Sequence, residues 1–93
     1  MPITPSNIVR HELIGLETEI KSATNKYLIG LKGLVVDETY GMLMIQTKKG
    51  EKKVNKKGTI FIFHLPNGKR VQVDGSLLVS RPEDRIKKKL PRW

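Results

Sequence analysis

The sequence predicts a mostly β protein: six short antiparallel strands that form a barrel or a sandwich, with a short helix near each end. Three observations support this prediction. Apolar and polar residues alternate with a period of two in several short runs, glycine-containing turn pairs separate these runs, and both ends carry helix-capping patterns. A chain of 93 residues has room for one domain with one modest core.

The strands are predicted in order along the chain. Leu16, Thr18 and Ile20 alternate with charged residues, which is typical of a half-buried strand. A longer aliphatic strand is expected from Tyr27 to Asp37, with a bulge or bend at Gly30 and Gly33. Further strands are expected at 42–47, 51–55, 59–65 and 69–74, and the last two flank the type I′ turn pair Asn67-Gly68.

The two ends of the chain predict helices. Thr4 is a candidate N-cap with Pro5 at the first helical position, and Gly15 would end this first helix. Ser80 and Glu83 form a capping box that would begin a second helix. The single domain, 1–93, is thus divided into a helical arm (1–15), a β-barrel (16–79) and a C-terminal helix with its tail (80–93).

The charge distribution indicates a polyanionic partner. The formal net charge is +9, and the basic residues concentrate in the second half of the chain. Residues 1–45 hold four basic and five acidic residues, whereas residues 46–93 hold fourteen basic and four acidic ones. Each phosphate that a lysine or arginine neutralises releases condensed counterions, so the second half is expected to bind nucleic acid.

Two basic groups are candidates for RNA contact. Six lysines between Lys48 and Lys57 are opposed only by Glu51, and strand alternation would place neighbouring lysines on opposite faces. Their alternative role is a solvated hairpin whose charges protect an edge strand from pairing. Around the C-terminal helix, Arg81 and Arg85 would share a helix face suited to phosphate, while the following lysines could equally form a frayed tail. The full candidate set is Lys48, Lys49, Lys52, Lys53, Lys56, Lys57, Lys69, Arg70, Arg81, Arg85, Lys87 and Lys88.

The sequence predicts no catalytic or metal site in the protein. There is no cysteine, and the two histidines, His11 and His64, lack metal-ligand spacing. Asp37 and Glu38 are neighbours on a predicted strand, so their carboxylates would point to opposite faces. Phe61 and Phe63 could form a stacking platform, but core packing is the favoured role. The absence of a long apolar run or signal peptide predicts a soluble, cytoplasmic protein.

Several local patterns, in their order and spacing, resemble the archaeal ribonuclease P protein component 1 family. This family is related to a protein subunit of eukaryotic ribonuclease P and MRP. The likeness runs from about residue 6 to residue 89. It rests on the segments 12–16 (ELIGL), 30–39 (GLKGLVVDET), Phe61 with Phe63, 73–75 (VDG) and 81–85 (RPEDR).

The resemblance implies an Sm-like barrel with terminal helices and a role as a non-catalytic subunit of ribonuclease P. Such a subunit assists the catalytic RNA in removing the 5′ leader of precursor tRNA, with Mg²⁺ bound by the RNA and no cofactor bound by the protein. Its implied partners are the ribonuclease P RNA and a zinc-ribbon protein subunit, with precursor tRNA contacted indirectly, no membrane, and a monomeric state when free. The alternatives are an Sm-type ring-forming RNA chaperone, another small ribonucleoprotein β-barrel subunit, and an independent nuclease.

The nearly neutral first half is where the protein partner is expected to bind. The candidate residues lie on the predicted N-terminal helix and first strand, and barrel packing is their alternative role, above all for Leu16. The candidates are Ile8, His11, Leu13, Ile14 and Leu16.

Overall fold

A computed structural model describes residues 12–79, which form one six-stranded antiparallel sheet. The strand order across the sheet is β4-β3-β2-β1-β5-β6. Strands that follow one another in the chain are therefore neighbours, except that β5 pairs with β1 instead of β4. The strand bounds are β1 Glu17–Ala23, β2 Lys32–Glu38, β3 Met42–Thr47, β4 Gly50–Asn55, β5 Thr59–His64 and β6 Arg70–Asp74.

The core lies on one face of this sheet. Along β5, Thr59, Phe61 and Phe63 are buried while Ile60, Ile62 and His64 are partly exposed, which is the alternation that the sequence predicts for this strand. The core is completed by apolar residues from all the strands and both flanking segments: Leu13, Leu16, Ile20, Val35, Leu43, Ile45, Val54, Leu65, Val73 and Leu78. Within residues 12–79 no second layer covers this face, so the sheet itself must curl around its side chains.

The curl is produced by bulges and by close backbone packing. The register of β1 against β5 shifts between Ile20 and Ser22, and that of β2 against β3 shifts between Val35 and Asp37. An extra residue in one strand increases local twist and bends it. At Gly33, a side chain would overlap the carbonyl oxygen of Gln46 and lie 2.7 Å from Cγ2 of Ile45. Gly33 therefore permits the close approach of β2 to β3.

The predicted second strand is wrong in its first part. Residues Lys26–Leu28 form a 3₁₀ turn instead, because the Asn25 side chain accepts a hydrogen bond from the Tyr27 N–H and holds the start of the turn. Gly30 ends the turn region with a φ of 87°, a left-handed conformation that favours glycine. The strand begins only at Lys32.

The sheet is open, in contrast to the predicted closed barrel. Within residues 12–79, β4 and β6 are its two edges and no ladder joins them. The predicted terminal helices fall largely outside the described residues; of the first, only its end is described, where Leu13–Leu16 form a turn (Leu16 N to Leu13 O, 3.1 Å). A second 3₁₀ turn, Gly75–Leu78, follows β6 and is capped by Asp74. No helix in the described part reaches the length and apolar character that spanning a membrane demands.

Candidate nucleic-acid interface

The hairpin between β3 and β4 presents four lysines to solvent. Its turn is fixed by the Thr47 hydroxyl, which accepts from the Lys49 N–H (3.1 Å) and donates to the Gly50 carbonyl (2.7 Å). Lys48, Lys49, Lys52 and Lys53 are all exposed, and within residues 12–79 none of them forms an ion pair. These cations are therefore available to phosphates from outside the chain.

The lysines of β4 point to opposite faces of the sheet. Lys52 lies opposite buried Ile45 in the register, whereas Lys53 lies opposite Met44. Side chains of directly opposed residues in an antiparallel pair lie on the same face. The alternation predicted for Lys52 and Lys53 is thus confirmed, and a ligand must wrap the edge strand to contact both.

A groove on the face opposite the core, here called the outer face, brings together cations that are distant in sequence. A cross-strand row runs from β3 to β6 through Gln46, Leu34, Glu17, His64 and Arg70. Lys48 and Arg70 both line the groove that contains this row. These two residues belong to separate basic segments of the sequence, and the sheet order is what unites them.

Lys32 is an outer-face cation that is absent from the predicted contact set. It lies in the groove with Lys48 and is exposed. The charge distribution does not indicate it, because it sits in the nearly neutral first half of the chain. In the structure Glu19 lies opposite Lys32 across the β1–β2 pair. The signal available in the sequence is its spacing of two residues from Leu34, because alternate residues of a strand share a face.

The floor of the outer-face groove is acidic. Glu17 and Glu19 lie on β1 at its centre, and Glu19 Oε2 is 3.9 Å from His64 Nε2. Beyond the groove on the same face, Lys21 Nζ donates to Gln72 Oε1 at 2.7 Å. Because carboxylates repel phosphate, RNA phosphates would contact the cationic rims, at Lys48 and Arg70, and not the floor.

Lys56 is buried, so the prediction that it contacts RNA is wrong. Its side chain is 0% exposed and its ammonium donates to Glu38 Oε2 (2.7 Å), the Thr39 carbonyl (2.7 Å) and the Tyr40 carbonyl (3.3 Å). An ammonium has three N–H donors, and these three acceptors match them. The buried carboxylate of Glu38 explains why a lysine can leave water at this position, and nothing in the neighbouring sequence distinguishes Lys56 from the exposed lysines.

Comparison with known proteins identifies the family. The model of the family described as ribonuclease P/MRP, subunit p29, matches residues 6–88. The chain belongs to this family.

Individual relatives agree with this assignment. The chain is 54% identical to ribonuclease P protein component 1 of Methanocaldococcus jannaschii, covering 95% of this chain and 93% of the relative. It is 45% identical to the protein of the same name from Thermofilum pendens, covering all of both. Among solved structures it resembles Mth11, described as a homologue of the human RNase P protein Rpp29, with a TM-score of 0.60 at 45% identity, covering 83% of this chain and all of that one.

The remaining RNA-contact candidates of this p29-family chain divide into two groups. Lys57, Lys69 and Arg70 are exposed, and the turn before Lys69 is held by the Asn67 side chain, which accepts from the Lys69 N–H. The other candidates, Arg81, Arg85, Lys87 and Lys88, lie outside the described residues.

The candidates for protein contact also divide. Leu13 and Leu16 are buried in the core, so their prediction as contact residues is wrong and they pack within the fold instead. Ile14, between them, is 41% exposed and remains a candidate. Ile8 and His11 lie outside the described residues.

The aromatic and acidic residues of the described part follow the favoured predictions. Phe61 and Phe63 are fully buried and stacked, with ring centroids 5.7 Å apart. Asp37 is exposed while Glu38 is buried, so the two carboxylates face opposite ways.

Proposed function

We propose that this chain is an RNA-binding protein subunit of ribonuclease P that assists the catalytic RNA in 5′ maturation of precursor tRNA. The observation that carries the proposal is the set of exposed cations on the β3–β4 hairpin and the outer-face rims, in a chain of the p29 family. The chemistry is assigned to Mg²⁺ bound by the RNA. The protein's part is to neutralise phosphates and so stabilise the folded RNA, and the proposed place of action is the cytoplasm.

The arrangement of the cations suits a folded RNA. Lys48 stands at both the hairpin and the groove, so the hairpin lysines and Arg70 form one discontinuous basic band across all six strands. Neighbouring strands are about 4.8 Å apart, so this band is about 24 Å wide along the sheet. A band of that width reaches phosphates on more than one RNA segment, which favours recognition of RNA shape over a single extended strand.

The proposed protein partner is a zinc-ribbon subunit of the same particle. Its contact is placed at the start of the described chain, where Ile14 is half-exposed on a turn that the Gly15 N–H anchors to the Val35 carbonyl (2.8 Å). We further propose that a short helix precedes the sheet and that a second helix follows it. An exposed isoleucine on an anchored turn offers an apolar contact that costs little ordering entropy on binding.

The test is reconstitution of precursor tRNA cleavage from the ribonuclease P RNA and its protein subunits. Replacing Lys48, Lys49, Lys52 and Lys53 together by Ala should weaken binding of this chain to the RNA and raise the Mg²⁺ concentration that cleavage requires. Lys21→Gln is the matched control, since Lys21 is held by Gln72 away from the groove. Cleavage of precursor tRNA by the purified chain alone, or full activity of the quadruple variant at all Mg²⁺ concentrations, would contradict the proposal.

A further inference from the structure

Three loops of the chain are joined by backbone hydrogen bonds into one surface. The β4–β5 turn (56–58) is bound on one side to the β2–β3 turn, through Lys56 N–H to the Gly41 carbonyl (2.8 Å) and the Lys56 ammonium to the Tyr40 carbonyl. On its other side, the Thr24 N–H donates to the Gly58 carbonyl (3.2 Å). The bend at Thr24 leads directly into the 3₁₀ turn Lys26–Leu28. The three loops are therefore held together although they come from distant parts of the sequence.

Both tyrosines of the chain lie on these loops and project into solvent. Tyr27 is 87% exposed and Tyr40 is 59% exposed, while both phenylalanines are fully buried. The backbones of both tyrosines are nevertheless fixed: the Tyr27 N–H donates to Asn25 Oδ1 (3.0 Å), and the Tyr40 carbonyl is bound by buried Lys56. A large ring on a fixed backbone, with few rotatable bonds, loses little entropy when a ligand orders it.

The charged side chains on these loops are all cations. Within 24–31, 39–41 and 56–58 the charged residues are Lys26, Lys56 and Lys57, and of these Lys26 and Lys57 are exposed. Lys57 lines a cavity together with Asn25 and Leu28, so its position is next to the 3₁₀ turn that carries Tyr27. Exposed rings with neighbouring cations and no carboxylate on the same loops match the combination that binds single-stranded nucleic acid.

We propose that this surface, formed by Tyr27, Tyr40, Lys26 and Lys57 and here called the tyrosine surface, binds unpaired bases of RNA. The tyrosine rings stack on the bases while the two lysines contact the adjoining phosphates. The inference rests on the proposed function, because it requires that the chain bind RNA, and it adds a second mode of contact. The basic band recognises folded RNA through its phosphates, whereas the tyrosine surface selects a loop or bulge whose bases are free to stack.

The experiment compares two probes with the full chain: fluorescently labelled oligouridylate, which is unstructured, and a blunt RNA duplex of the same length. The double variant Tyr27→Ala with Tyr40→Ala should bind oligouridylate about 30-fold more weakly or worse, since the loss of each base–aromatic stack weakens binding by about fivefold or more. Its duplex affinity should stay the same. Phe at both positions should retain the oligouridylate affinity, because the ring is what stacks. Leu77→Ala is the matched control, since Leu77 is 66% exposed but lies on the other 3₁₀ turn.

The outcomes separate this inference from the proposed function. Equal loss of affinity for both probes, or loss in the Phe variant as large as in the Ala variant, would overturn the stacking assignment. If the Ala variant keeps its RNA affinity but fails to copurify with the zinc-ribbon subunit, the surface is a protein contact. That result would also overturn the stacking assignment. In both cases the lysine variants of the hairpin would still test the proposed function, which would also fail if the wild-type chain bound neither the duplex nor ribonuclease P RNA. Thermal unfolding of each variant by circular dichroism confirms that the fold is intact.

Discussion

Replacing Lys56 by Met should destabilise the fold strongly, although Lys56 sits in a lysine-rich segment of an RNA-binding protein. Methionine has nearly the same length, so packing is largely preserved, but the ammonium is removed. The carboxylate of Glu38, itself buried, is then deprived of this cation, and the carbonyls of Thr39 and Tyr40 are deprived of a charged donor. Removing one partner of a buried ion pair costs about 3–5 kcal/mol.

That cost is a large share of the total stability. A domain of this size is stable by about 5–14 kcal/mol, and its melting temperature falls by about 4–8 °C for each kcal/mol. A cost of about 4 kcal/mol therefore predicts a fall of roughly 15–30 °C. The fall is measured by circular dichroism during heating, and the free energy of unfolding is measured from urea titration with the slope m held comparable.

Two further variants isolate the ion pair as the cause. Lys57→Met, one residue along and exposed, should change stability by no more than about 0.5 kcal/mol. The double variant Lys56→Met with Glu38→Leu should recover much of the stability, because the buried carboxylate is removed together with its cation. If Lys56→Met costs less than about 1 kcal/mol, the penalty expected for taking the cation from a buried carboxylate is absent and the reasoning is refuted.

Other predictions follow from the backbone packing and the basic surface. Gly33→Ala should cost about 1–3 kcal/mol because its Cβ overlaps the Gln46 carbonyl, whereas Gly41→Ala, with open space around it, should be nearly neutral in the same urea titration. Gly75→Ala should also destabilise the fold, since its Cβ would overlap the Lys56 carbonyl and lie 2.8 Å from the Phe61 ring. A melting temperature equal to that of the wild type would contradict this and show that the second 3₁₀ turn can shift to accommodate the methyl group without loss of stability. The logarithm of the affinity for ribonuclease P RNA should fall with log salt at a slope of about −3.5 to −4.5 if about five phosphates are neutralised. The quadruple lysine variant of the hairpin should flatten that slope by about 0.7–0.9 for each phosphate that it no longer neutralises; an unchanged slope would place the RNA elsewhere.

The strands could be predicted from the sequence because their signals are local. Alternation along β5 depends only on neighbouring residues and appears as predicted. A turn also forms at Asn67-Gly68, but the predicted type I′ geometry is wrong. Gly68 has a φ of 87° whereas Asn67 does not have a positive φ, and the Gly68 N–H donates to the Leu65 carbonyl around Pro66 and Asn67. The start of β2 was placed too early because Tyr27, Leu28 and Ile29 have high β propensity. The Asn25 side chain, which caps the 3₁₀ turn, outweighs that propensity.

The candidate site was predictable in composition but not in arrangement. That Lys48 and Arg70 line one groove depends on β1 lying between β2 and β5, which is a long-range property of the sheet. That Lys56 is internal depends on Glu38, eighteen residues earlier in the chain. A run of lysines looks uniform in a sequence, and only the partner across the fold distinguishes the structural lysine from its neighbours.

The lysines of β4 have a consequence for how copies of this protein meet each other. In the described chain β4 is a sheet edge, with backbone groups that could pair with the same strand of another copy. Such pairing would bring Lys52 and Lys53 of two molecules close together, and like charges across a strand pair are unfavourable. Added salt screens this repulsion just as it screens attraction to phosphate. The free chain should therefore be monodisperse in dilute buffer and begin to self-associate at the ionic strengths that release it from RNA. Low salt thus favours the complex with RNA, and high salt favours pairing with a second copy.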